Sequence, residues 1–274
     1  MATKRMISLL RGIRFGLPIL LLFLAPHAFS QTHWLRVETT RYDWSRDGKP
    51  YTFVLDTPRN WDAGGDYSRL RILAPDGRRF TFASRNGLTT LADTFDPQWA
   101  RPHLAALLKK NPVTSQHLLF LPINSNSENP LLLFLFGWAY GSSPGSLRVI
   151  VLEQGAPRQI LHLKEFQLMD YLDLNGDGNF EIIGKHCLSQ TWGAGLLTYD
   201  PYSVYTLSHG RAGRALLSIS LSKKYNIEHY YGWAGPDCSE TLAVVLHPSG
   251  GGKPIIMNAK KAEKLTEGTS KHRK

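Results

Sequence analysis

Beyond residue 34 apolar and polar residues alternate along the chain, and this period of two predicts half-buried antiparallel strands. Leu35-Arg36-Val37-Glu38-Thr39 and Tyr51-Thr52-Phe53-Val54-Leu55 lie on either side of Asp47-Gly48. Leu70-Arg71-Ile72-Leu73 and Arg79-Phe80-Thr81-Phe82 flank Asp76-Gly77, a pairing that predicts a tight hairpin. After Asn111-Pro112 the pattern changes. His117–Leu121 and Leu131–Phe136 are unbroken apolar runs of strand length, which predicts strands buried more deeply than the first four. Further strands are expected at Leu147–Leu152, Gln159–Leu163, Glu181–Gly184, Gly195–Tyr199, Val204–Leu207, Ala215–Ile219 and Thr241–Leu246. One helix is expected in Pro97–Lys110, restarted by Pro102, with Leu104, Leu107 and Leu108 on its apolar face. Beyond Asn258 the sequence predicts a short charged helix or a disordered tail. The fold class is therefore mainly β: propeller-blade-like or sandwich-like antiparallel sheets with one or two short helices.

The first thirty residues follow a different rule. Lys4, Arg5, Arg11 and Arg14 form an acid-free basic region, Gly16–Ala25 is apolar, and Ala28-Phe29-Ser30 places small residues at the −3 and −1 positions of a cleavage site. This predicts a secretory signal peptide over residues 1–30, cut after Ser30. Pro18 interrupts an apolar run too short to span a bilayer, so no stable membrane span is expected after cleavage. The expected destination is the periplasm or the medium. The rest divides into an N-terminal β module (31–123), a second β module (124–258) and a basic tail (259–274), the polar loop Asn124–Pro130 offering the internal boundary.

The segmentation changes the reading of charge. Of the formal +10, four basic residues leave with the leader, and six Lys/Arg against two Glu in Lys260–Lys274 account for a further +4. Residues 31–259 retain only +2. No nucleic-acid motif accompanies the excess, and a nucleic-acid partner is not expected. Two cysteines, Cys187 and Cys238, remain in an oxidising compartment. They predict one disulfide, contributing on the order of 3–4 kcal/mol by the loop-entropy argument.

One stretch carries specific chemistry. Asp173, Asn175 and Asp177 occupy alternate positions 1, 3 and 5 of a loop, with Gly178 at position 6, Asn179 at 7 and Glu181 at 9. A hard cation needs six to eight oxygens, and alternate oxygen-bearing residues around a flexible glycine supply them. The loop predicts a calcium site with ligands Asp173, Asn175, Asp177, the Asn179 carbonyl and Glu181. An EF-hand would carry Glu at position 12 and a helix after it. Position 12 here is Gly184, and Ile182-Ile183 reads as strand. Leu172-Asp173-Leu174-Asn175-Gly176-Asp177-Gly178 followed by Glu181-Ile182-Ile183-Gly184 resembles the FG-GAP (integrin α) and VCBS repeats of extracellular proteins. The resemblance implies a calcium loop between two strands of a propeller blade. It is confined to this segment and the hairpin before it. Asp43-Trp44-Ser45-Arg46-Asp47-Gly48 echoes the spacing, but Tyr51 stands at position 9 and Arg46 intrudes, so a plain hairpin turn is expected there.

Catalytic signals are sparse. There is no Gly-x-Ser-x-Gly elbow, His-Glu-x-x-His pair or phosphate loop. His186, His209 and His229, with Ser189, Asp237 and Glu240, are the residues from which a hydrolase would be assembled; Glu165, Asp170, Asp200 and Glu228 are the carboxylates open to a glycosidase. The aromatic stretches Tyr199–Tyr202, Tyr225 and Tyr230-Tyr231-Gly232-Trp233, and Trp192, read first as core and second as a surface for sugars. The leading expectation is an exported calcium-binding β protein, a non-enzymatic module for a protein or glycan partner. The alternative is a secreted hydrolase acting on carbohydrate, with calcium in a supporting role.

Overall fold

The computed structural model describes residues 33–43, 48–62, 64–89, 101–110, 115–124, 131–138, 144–152, 157–193, 196–207, 214–238, 243–246, 254–258, 260–262 and 264. The signal peptide, the stretch 97–100, most of the tail, His209 and Glu240 lie outside them. The described residues belong to one compact unit running from His33.

Among the described residues this unit holds four antiparallel four-stranded sheets, so the chain is mainly β as its patterning predicts. The first is a meander of β1 (Trp34–Tyr42), β2 (Tyr51–Pro58), β3 (Tyr67–Leu73) and β4 (Arg79–Leu88). The Asp76-Gly77 hairpin forms where expected: the Asp76 carboxylate accepts from the Arg78 amide and the Gly77 amide donates to Ala74 O. Asp43 and Gly48 close the turn between β1 and β2 through a 2.8 Å hydrogen bond from the Gly48 amide, which is the hairpin reading of that segment.

The second sheet is also a meander, of β5 (Leu119–Pro122), β6 (Leu131–Phe136), β7 (Leu147–Leu152) and β8 (Arg158–Leu163). Its unbroken apolar runs have a direct cause. Leu131, Leu133 and Leu135 pack with the first sheet, whereas Leu132, Phe134 and Phe136 pack into a second core on the opposite face. A strand with apolar neighbours on both sides has no face for water. The expected boundary near residue 124 falls between β5 and β6, which are hydrogen-bonded partners within this sheet.

The third sheet has the order β14-β13-β10-β9, from β9 (Gln167–Leu172), β10 (Glu181–Lys185), β13 (Tyr202–Leu207) and β14 (Ala215–Leu217). Between β10 and β13 the chain leaves to form β11 (Thr191–Gly193) and β12 (Leu196–Thr198). These pair with β15 (Ala243–Leu246) and β16 (Ile255–Asn258) in a fourth sheet. One face of the third sheet joins the second sheet's core through Leu168, Tyr171, Ile182 and Tyr205.

Helix α1 (Pro102–Lys110) starts at the expected proline, and its Leu104 is fully buried, with Leu107 and Leu108 against the same core. Helix α2 (Ile219–His229) was not expected: the run Ala215–Ile219 is strand only to Leu217, and Ser218 then caps the helix. A helical turn at 260–262 begins the tail. No helix of the described residues is long and apolar enough to cross a membrane.

Candidate functional site

The acidic loop connects β9 to β10, and the first pair of that ladder is Leu172 with Glu181. Gly176 and Gly178 take φ of +78° and +91°, a region in which a Cβ is strained, and so they let the chain curl back on Asp173. The Asp173 carboxylate accepts from the amides of Gly176 (2.7 Å), Asp177 (3.1 Å) and Gly178 (2.9 Å). Asn175 Oδ1 accepts from the Asp177 amide at 2.8 Å, and Asp177 Oδ1 from the Asn179 amide at 2.8 Å. Asn175 Nδ2 donates to Asp177 Oδ2 at 3.0 Å. The structure thus gathers Asp173, Asn175 and Asp177 into one curl whose side chains fold onto the loop's own backbone, with Asn179 and Glu181 following it. Among the described residues no three His, Cys, Asp or Glu side chains converge as a ready-made metal site.

Glu181 sits apart from this pattern. It is 1 % exposed and receives the Leu174 amide at 2.7 Å. Burial, together with the charges of Asp177 and Asp173, pushes its carboxyl up to about 7. A buried acid beside two further acids is an arrangement that a cation relieves. The loop is anchored on both sides. Phe180 donates its amide to Ile123 O and packs 5.1 Å from Tyr171, whose hydroxyl donates to Pro122 O; Lys224 of α2 donates to Leu174 O. Gly184, where an EF-hand would have its glutamate, lies in β10. A Cβ there would stand 2.1 Å from Gln167 O and 2.5 Å from the Phe166 ring, so this position has no room for a side chain.

A second polar cluster lies where β9, β10 and β13 meet the two helices. Asp170 and Asp200 are each 2 % exposed. Asp170 accepts from the Leu104 amide in the first turn of α1, from the Tyr171 amide and from the Tyr225 hydroxyl, with His103 Nδ1 at 3.5 Å. Asp200 accepts from Lys185 Nζ at 2.6 Å, the Ser189 amide at 3.2 Å and the Tyr230 hydroxyl. Lys185, itself buried, lies 4.7 Å and 4.3 Å from the ring centroids of Tyr202 and Tyr230. Arg101 donates to the Tyr202 hydroxyl at 3.0 Å and to His229 O. Both buried carboxylates therefore spend their oxygens on donors of the protein itself.

The remaining candidates scatter. His186 is held between Glu165 O and the Tyr205 hydroxyl, both at 2.7 Å. The carbonyl can only accept, so Nδ1 carries the proton and Nε2 accepts from Tyr205. Burial pushes this imidazole below its usual value, against the upward pull of Glu165. Glu165, Glu228, His229 and Asp237 are exposed. Tyr199, Tyr202 and Tyr225 are core residues; Tyr230, Tyr231 and Trp233 are half-buried. Cys187 and Cys238 are bonded, with Cα atoms 6.2 Å apart, as their isolation in the sequence predicts. Lys185 drew no attention in the sequence, although a lone charge ending the apolar run Ile182-Ile183-Gly184 is the signal that was available.

What fold and site define together is a class: a disulfide-linked, mainly antiparallel β protein with an acidic loop between two strands. No family model and no curated protein matches the chain. Among solved structures it is similar to a GH43 β-1,3-galactosidase with galactodeoxynojirimycin, at 10 % identity over 67 % of this chain and 75 % of that one, with a TM-score of 0.23. At that score the likeness carries no argument.

Proposed function

We propose that this chain is an exported, calcium-binding β protein that serves as a non-enzymatic binding or interaction module, with calcium in a structural role. Asp173, Asn175, Asp177, the Asn179 carbonyl and Glu181 are its ligands. The observation that carries the reading is the buried Glu181 at the first position of β10, closing a loop that carries Asp173 and Asp177 and curls at Gly176 and Gly178. A bound divalent cation supplies the positive charge that favours the ionised form of the buried Glu181. Because the loop joins β9 to β10 and touches both β5's end and α2, that charge holds four elements in register.

The disulfide and the leader pattern support export. The internal donors on Asp170 and Asp200 occupy two of the four carboxyls from which a glycosidase pair would be drawn. Calorimetric calcium titration with paired melting curves tests the metal. Chelation is expected to lower the melting temperature, and Asp173→Ala or Asp177→Ala to abolish the difference. Identical curves with and without chelator, in a chain that takes up no calcium, would overturn the proposal.

A further inference from the structure

The two faces of the first sheet divide their charge unequally. Arg36 on β1 stands opposite Asp56 on β2, which stands opposite Arg69 on β3; Arg41 faces Thr52, Arg71 faces Val54 and Arg79 faces Leu73. Directly opposed residues share a face. The other face is the apolar one, where Phe53, Leu55, Leu70 and Ile72 enter the core. The outer face thus holds five arginines against one acid, an excess of +4, on a body whose residues 31–259 sum to only +2. The rest of that body is net acidic. Its net positive excess comes from this sheet face.

The cluster is pre-arranged. Asp56 is 2 % exposed and is gripped by Arg36 (3.2 Å), Arg69 (3.1 and 3.2 Å) and Arg71 (2.7 and 3.1 Å). One carboxylate cannot neutralise three guanidiniums, yet it fixes all three on one face, so much of the rotamer freedom that docking would remove is already lost. Arg69 lies 3.5 Å from the ring centroid of the half-exposed Trp34. Exposed hydroxyls of Thr39 and Thr81 stand among the arginines.

We propose that this face is the docking surface for a polysaccharide bearing carboxylates, an inference that rests on the reading of the chain as a binding module and not on its metal. Guanidinium forks recognise carboxylates, as they do with Asp56; the threonines match sugar hydroxyls, and Trp34 offers a ring edge to a pyranose. An anionic lipid surface fits less well. Trp34 is this face's exposed large apolar side chain, whereas insertion into headgroups takes an apolar band.

The test uses the exported chain and immobilised hyaluronate at physiological ionic strength, with neutral dextran and phosphatidylglycerol vesicles as comparisons. Retention on hyaluronate and not on dextran is expected. The pair Arg41→Glu/Arg79→Glu cancels the excess without touching the bonds to Asp56, and should raise the Kd on the order of tenfold or more. The same charge change elsewhere, Lys164→Glu/Lys223→Glu, should leave the Kd unchanged. Equal losses from both pairs, no retention on hyaluronate, or binding to vesicles alone would each overturn the proposal. All arms are run with calcium and with chelator, and retention on hyaluronate is expected in both. If hyaluronate fails while chelation still lowers the melting temperature, the glycan surface falls and the calcium loop stands; retention with chelator-insensitive melting gives the reverse.

Discussion

Single side chains do the joining in this fold, and Asp170 is the clearest case. Its two oxygens serve the backbone of β9, the first turn of α1 and a tyrosine of α2. Asp170→Ala would strand two amides and a hydroxyl in the interior, an expected cost of roughly 3 kcal/mol or more by urea unfolding. Asp170→Asn keeps an acceptor and should cost clearly less; equal losses from the two would contradict the capping role. His186 makes a pH-dependent contribution. Its folded-state value is depressed because the buried neutral ring is the favoured form, so the unfolded chain binds the extra proton first. The stability it contributes is complete above the usual 6.5 and is lost as pH falls through the lowered value. Urea midpoints at pH 7.5 and 5.5 should therefore differ more for the native protein than for His186→Gln. The same difference in both would remove His186 from the account.

At the scale of elements, α2 shows where sequence patterning stops working. β13 pairs with β14 only from Tyr205 to Leu207, which leaves the backbone of Tyr202 and Val204 open on that side. The helix fills the gap with side chains. Asn226 accepts from Tyr202 N at 2.9 Å and donates to Tyr202 O at 2.8 Å; Ser222 accepts from Val204 N at 2.9 Å; Ser218 N donates to Val204 O at 2.8 Å. Its buried residues are accordingly Ser222, Tyr225 and Asn226, while Ile219 and Ile227 are exposed. An apolar stripe is the usual sign of a docked helix. This one docks by imitating a strand, so its inward face is polar and the sign is absent. The central strands of the second sheet were legible because both their faces are apolar, and the acidic loop because its oxygen-bearing side chains repeat every second residue within one turn. The Lys185–Asp200 pair was not legible, since its partners come from β10 and the segment after β12 and meet only in space. Asn226→Ala should cost about 2 kcal/mol. It should also speed hydrogen exchange at Tyr202 N selectively, leaving Val204 N protected by Ser222; a uniform change across the sheet would refute the edge-pairing role.

Across the whole body from His33, the third and fourth sheets are threaded through one another: β11 and β12 depart before β13 is laid down, and β15 and β16 return after α2. Such a topology closes long loops before its contacts form, which is costly in chain entropy. The Cys187–Cys238 bond lies across that crossing. It joins the segment following β10 to the segment following α2, 51 residues apart, and so closes the stretch that supplies β13 and β14 to the third sheet and β11 and β12 to the fourth. A loop of that length is worth about 4 kcal/mol in the chain-entropy account. The bond should matter more to the third and fourth sheets than to the second sheet, whose strands are consecutive in sequence and whose strand β6 is buried throughout. Cys187→Ser/Cys238→Ser is expected to lower overall stability by about that amount. Under native conditions it should loosen the protein unevenly, with amides of β10–β13 exchanging faster while those of β6 and β7 keep their protection until global unfolding. Equal acceleration in β6 and β10 would mean that the body unfolds as one cooperative unit and that the crossing is not its weakest point.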